Sequence, residues 1–188
     1  MTEIIDDLIV LGLAVPEHLK DGRTTVCLGG LSRSKGFIRL YPVKVNMGLY
    51  RWDIIRVEVE RNERDSRQES WKIAGSKTDW DNLHTHVTKV GHIDDLDERR
   101  AVVSANTSEC VNVLNEAHQS FGIIRVQNIK KAFFDDNPQY GKPIQLALLD
   151  THAQEWAKVK RDYPTEPRMS YTCSGCQASN GHNQKVLE

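Results

Sequence analysis

The chain has 188 residues, a formal net charge of −1, 39% hydrophobic and 27% charged residues. This length suits one large or two small domains with a buried core, and the composition is too apolar for disorder. No apolar run reaches membrane-spanning length, a near-neutral total argues against a generic polyanion binder, and four cysteines are too sparse for a secreted disulfide framework. A soluble protein of the reducing cytoplasm, with no membrane contact, is the expectation.

The first part reads as strands. Leu8 to Val15 is a buried-type run ending at Pro16, without the basic leader of a signal peptide. Thr24 to Leu28 closes at Gly29-Gly30, and Phe37 to Tyr41 ends at Pro42. Asp53 to Arg61 sets Ile55, Val57 and Val59 against Arg56, Glu58 and Glu60, the period-two pattern of a strand with one wet face. Ser70 to Ala74 is a further strand. Short strands separated by Gly, Pro and polar turns point to a barrel or sandwich.

The middle changes character. Thr78 to Leu83 looks like a capped helix start, with Val87 and Val90 continuing its apolar stripe. Asp97–Ala105 and Ser108–His118 also carry helical spacing. Strands resume at Gly122–Val126 and Ile144–Leu149, and Asp162 to Pro167 reads as an extended linker.

Two stretches echo one another: Ser34-Lys35-Gly36-Phe37-Ile38-Arg39-Leu40 and Ser120-Phe121-Gly122-Ile123-Ile124-Arg125-Val126, with Lys44 and Lys130 at matching offsets. A duplicated β unit is expected, giving two small barrels packed around a helical middle. Each echo carries an arginine, Arg39 or Arg125, whose side chain points away from its apolar neighbours. A strand-borne arginine beside Phe37, Tyr41 or Phe121 is how a barrel surface holds phosphates and stacks bases; the plainer alternative is an arginine paired with a carboxylate. Charge is also segregated. Basic residues crowd Arg33 to Lys77 (among them Lys35, Lys44, Arg51, Arg56, Arg61, Arg67 and Lys72), and acids cluster at Asp94, Asp95, Asp97 and Glu98.

The C-terminal segment holds Cys173-Ser174-Gly175-Cys176, then His182 after a polar, glycine-containing loop. A C-x-x-C turn lets two thiolates face one ion, and the imidazole supplies a third donor. Zinc suits this set; an iron–sulfur cluster normally wants more thiolates. A closed zinc site needs a fourth ligand. The candidates are His152, His118, Cys110 and Cys27, or a residue beyond Glu188, where the chain stops in mid-pattern; Cys27 and Cys110 read as plain core residues. His84, His86 and His92 lack an H-x-E or H-E-x-x-H companion and read as solvated surface residues. No phosphate-binding glycine loop, serine nucleophile elbow or other catalytic set is present.

On Gly36-Phe37-Ile38-Arg39-Leu40-Tyr41-Pro42, on Trp52-Asp53-Ile54-Ile55 and on the terminal C-x-x-C…G-H-x-Q pattern, the chain resembles a bacterial family described as a dual OB-containing domain. The resemblance implies two OB-like barrels and, by analogy of fold, nucleic-acid binding in mobile-element or antiviral settings.

The expectation is therefore a β-rich α+β chain: a first OB-like unit at 1–77, a helical connector at 78–119, a second OB-like unit at 120–161, and a linker with the Cys/Cys/His knuckle at 162–188. Its partner is expected to be DNA or RNA, mainly single-stranded, held by Arg39, Tyr41, Lys44, Arg125 and Lys130, with zinc on Cys173, Cys176 and His182. Two rivals stand beside it: a metal-dependent nuclease or modifying enzyme using His182 and Glu188, and a protein-interaction subunit whose metal is purely structural.

Overall fold

The computed structural model describes residues 2–18, 23–62, 65–138, 140–141, 163–176 and 180–185. The first strands are β1 (Thr2–Leu13), the two-residue β2 (Glu17–His18), β3 (Thr24–Ser32), β4 (Gly36–Lys44), β5 (Asp53–Arg61) and β6 (Ser70–Ile73). Five of them close into a barrel in the order β1-β3-β4-β6-β5, with β5 returning to β1. Its pairings are antiparallel except that of β4 with β6, where Arg39 and Leu40 run parallel to Ser70 and Trp71. Closure gives each of these five strands a neighbour on both sides, although the short β6 covers only Val59–Arg61 of β5.

The alternation read from the sequence decides which side chains enter. Leu8 and Val10, Val26 and Leu28, Ile38 and Leu40, Ile55, Val57 and Val59, and Ile73 share one fully buried cluster with Trp71 and Leu83. Each such aliphatic contributes about 1.5–3 kcal/mol relative to exposure. Gly30 lets β3 lie against Leu8: a Cβ there would stand 2.7 Å from Leu8 Cδ1. The bulge between Ile5 and Leu8 turns out Asp7, which accepts from the Ser32 hydroxyl (2.7 Å) and the Arg33 amide (2.9 Å).

The helix expected from Thr78 onward is replaced by a single 3-10 turn at Leu83–His86 and a strand, β7 (Val87–His92). Val87, Lys89 and Gly91 find partners on the part of β5 that β6 does not cover, at Val57, Ile55 and Ile54. Two β-branched valines beside an open strand edge favour the sheet over the helical stripe. Next come α1 (Leu96–Ala105), capped by Asp95 accepting from Glu98 N, then β8 (Thr107–Ser108) and α2 (Val111–Glu116).

The rest of the described chain forms β9 (Ile123–Ile124), parallel to β8, and a three-stranded antiparallel sheet of β10 (Val126–Asp136), β11 (Thr165–Cys173) and β12 (His182–Lys185). The expected linker at 162–167 thus runs into β11 from Thr165. Pro167 lies in register with Phe134 of β10, one residue before β12 joins β11 at Arg168, so among the described residues its other side is an edge, where proline is tolerated. The strand expected at Ile144–Leu149 and the candidate ligand His152 lie outside the described residues. Among the described residues the second half is a ribbon-like sheet, and one barrel is present. No described helix is long and apolar enough to cross a membrane.

Candidate functional site

The Cys/His pattern at the C-terminus finds its missing partner in the connector. Cys110 precedes α2 in extended conformation (φ −154°, ψ 151°), Cys173 ends β11, and His182 opens β12 opposite Tyr171. The sulfurs of Cys110 and Cys173 and a ring nitrogen of His182 lie within 4.8 Å of one another, so these three residues can hold a metal ion. Cys176 joins from the turn. Its amide donates to Cys173 O at 3.3 Å, and its sulfur lies 3.2 Å from His182 Nε2, against 3.3 Å for Cys110 Sγ. A tetrahedral ion with S at about 2.3 Å and N at about 2.0 Å separates two such donors by about 3.5 Å, so either sulfur can share an ion with His182. The group whose donor atoms all lie within 4.8 Å of one another is Cys110, Cys173 and His182, without Cys176.

The site is braced on both sides. Ser174 Oγ and Gly175 N both donate to the carbonyl of Glu109, tying the knuckle turn to the residue before Cys110. Gly181, at φ +70°, lets the chain pass the Tyr171 carbonyl where a side chain has no room. Tyr171 is buried, tilts against the His182 ring at 5.6 Å, and donates its hydroxyl to Gln184 Oε1 at 2.7 Å. Burial pushes the Cys173 thiol up, with the Val111 N–H bond opposing and the neighbouring Cys110 and Cys176 adding to it. A bound cation reverses that balance, because a ligating thiol is deprotonated.

Cys110 is buried in the core of this sheet, as its sequence reading has it, and of the described fourth-ligand candidates it is the one whose sulfur meets Cys173 and His182. Ser108 and Glu109 before it are polar, and that local break in apolarity was the available signal. Cys27 lies on β3 of the barrel, and His118 lines a different feature described below.

The residues expected to hold nucleic acid are scattered. Arg39 is half-buried, with its NH1 3.2 Å from Asp65 Oδ2, 3.4 Å from Ser70 Oγ, and its guanidinium 5.2 Å from the Tyr41 ring. Lys44 donates to the Asp81 carbonyl at 3.2 Å. Arg125 and Lys130 are exposed on the second sheet, Arg125 in the break between β9 and β10. The two arginines of the echo therefore occupy different settings, one in a barrel strand and one between strands.

A cavity of about 980 Å³ opens instead at the loop end of the barrel, lined by Lys35, Phe37, Arg61, Arg67, Glu69 and Trp71 among others and walled by Ala117–Gln119. Arg61 stacks on Trp71 at 3.7 Å and donates to the Gln68 carbonyl, and Lys35 stands 5.1 Å from the same ring and 2.7 Å from Glu3. Arg67 grips Asp65 through Nε (2.7 Å) and NH2 (2.6 Å), which holds that carboxyl well below the usual range. Single-sequence reading missed this cluster because its members come from separate strands, β4, β5 and β6, and from the loops before and between them and after α2.

Two of the three histidines have carboxylate partners, although His92 remains exposed. His86 Nδ1 is 2.8 Å from Glu58, and His92 Nδ1 is 2.7 Å from Asp53, which is fully buried. Burial pushes Asp53 up, but bonds from Lys89, His92 and the Tyr50 amide outweigh it and keep the carboxyl low.

A family model describes these same elements: it matches residues 5–105, from β1 through α1. The chain belongs to the family of the domain of unknown function DUF8758. The DUF8758 match takes in the barrel, the Asp53–His92 pair and most of the cavity lining, whereas Cys110, Cys173, Cys176 and His182 all follow it. Comparison with curated proteins and with solved structures returned no match.

Proposed function

We propose that this DUF8758 protein binds single-stranded nucleic acid on an OB-like barrel and carries a structural zinc in its C-terminal sheet. The observation that carries the reading is the loop-end cavity, where three cations and two aromatic rings meet beside β4. The order β1-β3-β4-β6-β5 is a Greek-key barrel like that of the OB fold, whose second and third strands and flanking loops bind oligonucleotides. Here those strands are β3 and β4, and the loop between β5 and β6 supplies Arg67. Lys35, Arg61 and Arg67 would contact phosphate, with Phe37 offering an apolar edge to a base. Trp71 is buried and serves as the platform beneath Arg61 and Lys35. Arg39, backed by Tyr41, would then shape the 65–70 loop through Asp65 and Ser70. Lys44, Arg125 and Lys130 would add outlying positive charge.

For the metal, three thiolates and one imidazole make a set that suits zinc. Cys176, already 3.2 Å from His182 Nε2, would close in as the fourth donor beside Cys110, Cys173 and His182. A tetrahedral ion so filled leaves no position for an attacking water, which favours a structural role over the nuclease reading. The experiment is anisotropy with a labelled single-stranded oligonucleotide at low salt, comparing the parent with a Lys35→Gln, Arg61→Gln, Arg67→Gln variant of confirmed fold. An affinity that falls with salt and drops at least about tenfold in the variant is expected. Undetectable binding by the parent, or equal binding by the variant, would end this reading.

A further inference from the structure

The outer face of β3 and β4, across which a strand would run on an OB-like barrel, is covered by the chain itself. Ile38 and Leu40 point inward and are fully buried, so Phe37 and Arg39 point outward, and register places Gly29 opposite Arg39 and Leu31 opposite Phe37. Phe121 lies on this face. Its ring occupies the space a Cβ on Gly29 would need, and it meets Phe37 edge-on, with centroids 5.5 Å apart and planes at 86°. Ser120 locks the segment down, donating both its amide (2.8 Å) and its hydroxyl (2.9 Å) to Glu69 Oε1. Glu69 is itself buried. Its burial pushes the carboxyl up, and the Ser120 bonds, its own amide and nearby Arg67 together more than offset that.

The same segment forms a wall of the cavity through Ala117, His118 and Gln119, with His118 in the left-handed region at φ +55° where the chain turns. Upstream it is continuous with α2 and Cys110, and Gly122 packs against Leu114 of that helix. The described residues 117–121 therefore close the β3 side of the cavity. A polynucleotide that places a phosphate between Lys35, Arg61 and Arg67 meets Phe121 and Ser120 where its next nucleotides would cross β3.

We infer that the cavity accepts the end of a strand, a terminal phosphate monoester with its first nucleotide, rather than an internal stretch. This rests on the nucleic-acid reading above. A terminal monoester offers three strong acceptor oxygens where an internal diester offers two, so it can accept from Lys35, Arg61 and Arg67 together even though Lys35 and Arg67 also face Glu3 and Asp65. The volume also suits one small ligand, since clefts and cavities that bind such ligands run to about 300–1,000 Å³.

The test uses the full chain and internally labelled strands of about 16 nucleotides. One set is linear with a 5′- or 3′-phosphate, one is linear with hydroxyl ends, and one is the same sequence ligated into a circle. A phosphorylated linear strand is expected to bind at least about tenfold more tightly than the circle. A Ser120→Ala, Phe121→Ala variant with its melting temperature checked is expected to narrow that gap by strengthening circle binding. If parent and circle associate as well as parent and phosphorylated end, end recognition is wrong while nucleic-acid binding stands. If none of the strands binds, the underlying reading fails with it.

Discussion

The barrel and the C-terminal sheet are both antiparallel β structures for the most part, yet they are held by different forces. The barrel buries a contiguous set of aliphatics from five strands, with Leu8, Val10, Leu28, Ile38, Leu40, Ile55, Val57 and Ile73 almost wholly removed from water. Among the described residues, the C-terminal sheet has a buried cluster of Cys110, Tyr171 and Cys173, with Val111, Ile124, Met169 and Cys176 packed against it. Along β10, Val126, Ile129 and Phe134 remain exposed. Three strands with so small a core need a further tie. The Cys/His cluster can supply it, because a metal ion there would join the connector at Cys110 to the two sides of the β11–β12 turn at Cys173 and His182. DUF8758 ends before the first of these ligands, so the matched family segment coincides with the part that an ordinary hydrophobic core can stabilise.

The comparison breaks most visibly if the metal is removed. Chelation, or Cys110→Ser, is expected to unfold the C-terminal sheet and leave the barrel folded, since metal ligation in small zinc domains contributes on the order of 10 kcal/mol. Calorimetry with metal analysis should show two transitions, of which only one depends on the metal. A single transition that ignores chelator would mean the sheet is held by packing alone.

The barrel should respond instead to its buried carboxylate. Asp53→Ala leaves Lys89, His92 and the Tyr50 amide without their shared acceptor. Because Lys89 and His92 both reach solvent, the loss is expected to be about 2 kcal/mol. Urea denaturation followed by tryptophan fluorescence measures it, and the metal content should not change.

A smaller effect separates the loop end from both cores. The Asp65 carboxyl is held low chiefly by Arg67, so its folded pKa lies below the unfolded value near about 4. Its contribution to stability is therefore complete above that value and is lost as pH falls toward the folded pKa. Asp65→Asn is expected to cost about 1 kcal/mol at neutral pH and to flatten the dependence of the urea midpoint below about pH 4. An unchanged acid limb in the variant would show that the Arg67 pair is screened out.

Much of the barrel was legible because period-two alternation reports directly on which side chains enter a core. Asp53–Arg61 is the clearest case: the alternation was plain, and the strand has those bounds. The Val87–His92 strand was not legible, since Val87 and Val90 suit a helical stripe as well as a strand, and only the uncovered edge of β5 decides between them. Arg39 illustrates the same limit within a strand. Its outward direction followed from its neighbours, but its partner Asp65 is in a loop whose approach no local pattern describes. The echo of Ser34–Leu40 in Ser120–Val126 was a true likeness of residues set in unlike surroundings. Gly36 sits at φ +73° in a turn with open space around it, whereas Gly122 is pressed against Leu114.

By itself the sequence determined the local terms: the strand alternation, the turns at glycine and proline, and the pair of thiols with a histidine that can face one ion. These depend on covalent spacing and on burial preference, which act within a few residues. Only the tertiary structure decided that Cys110 completes the cluster from 63 residues before Cys173, that Lys35, Arg61 and Arg67 converge on one cavity, and that Phe121 lies over Gly29. Those are meetings between distant segments, set by how the barrel closes and where the connector returns against it.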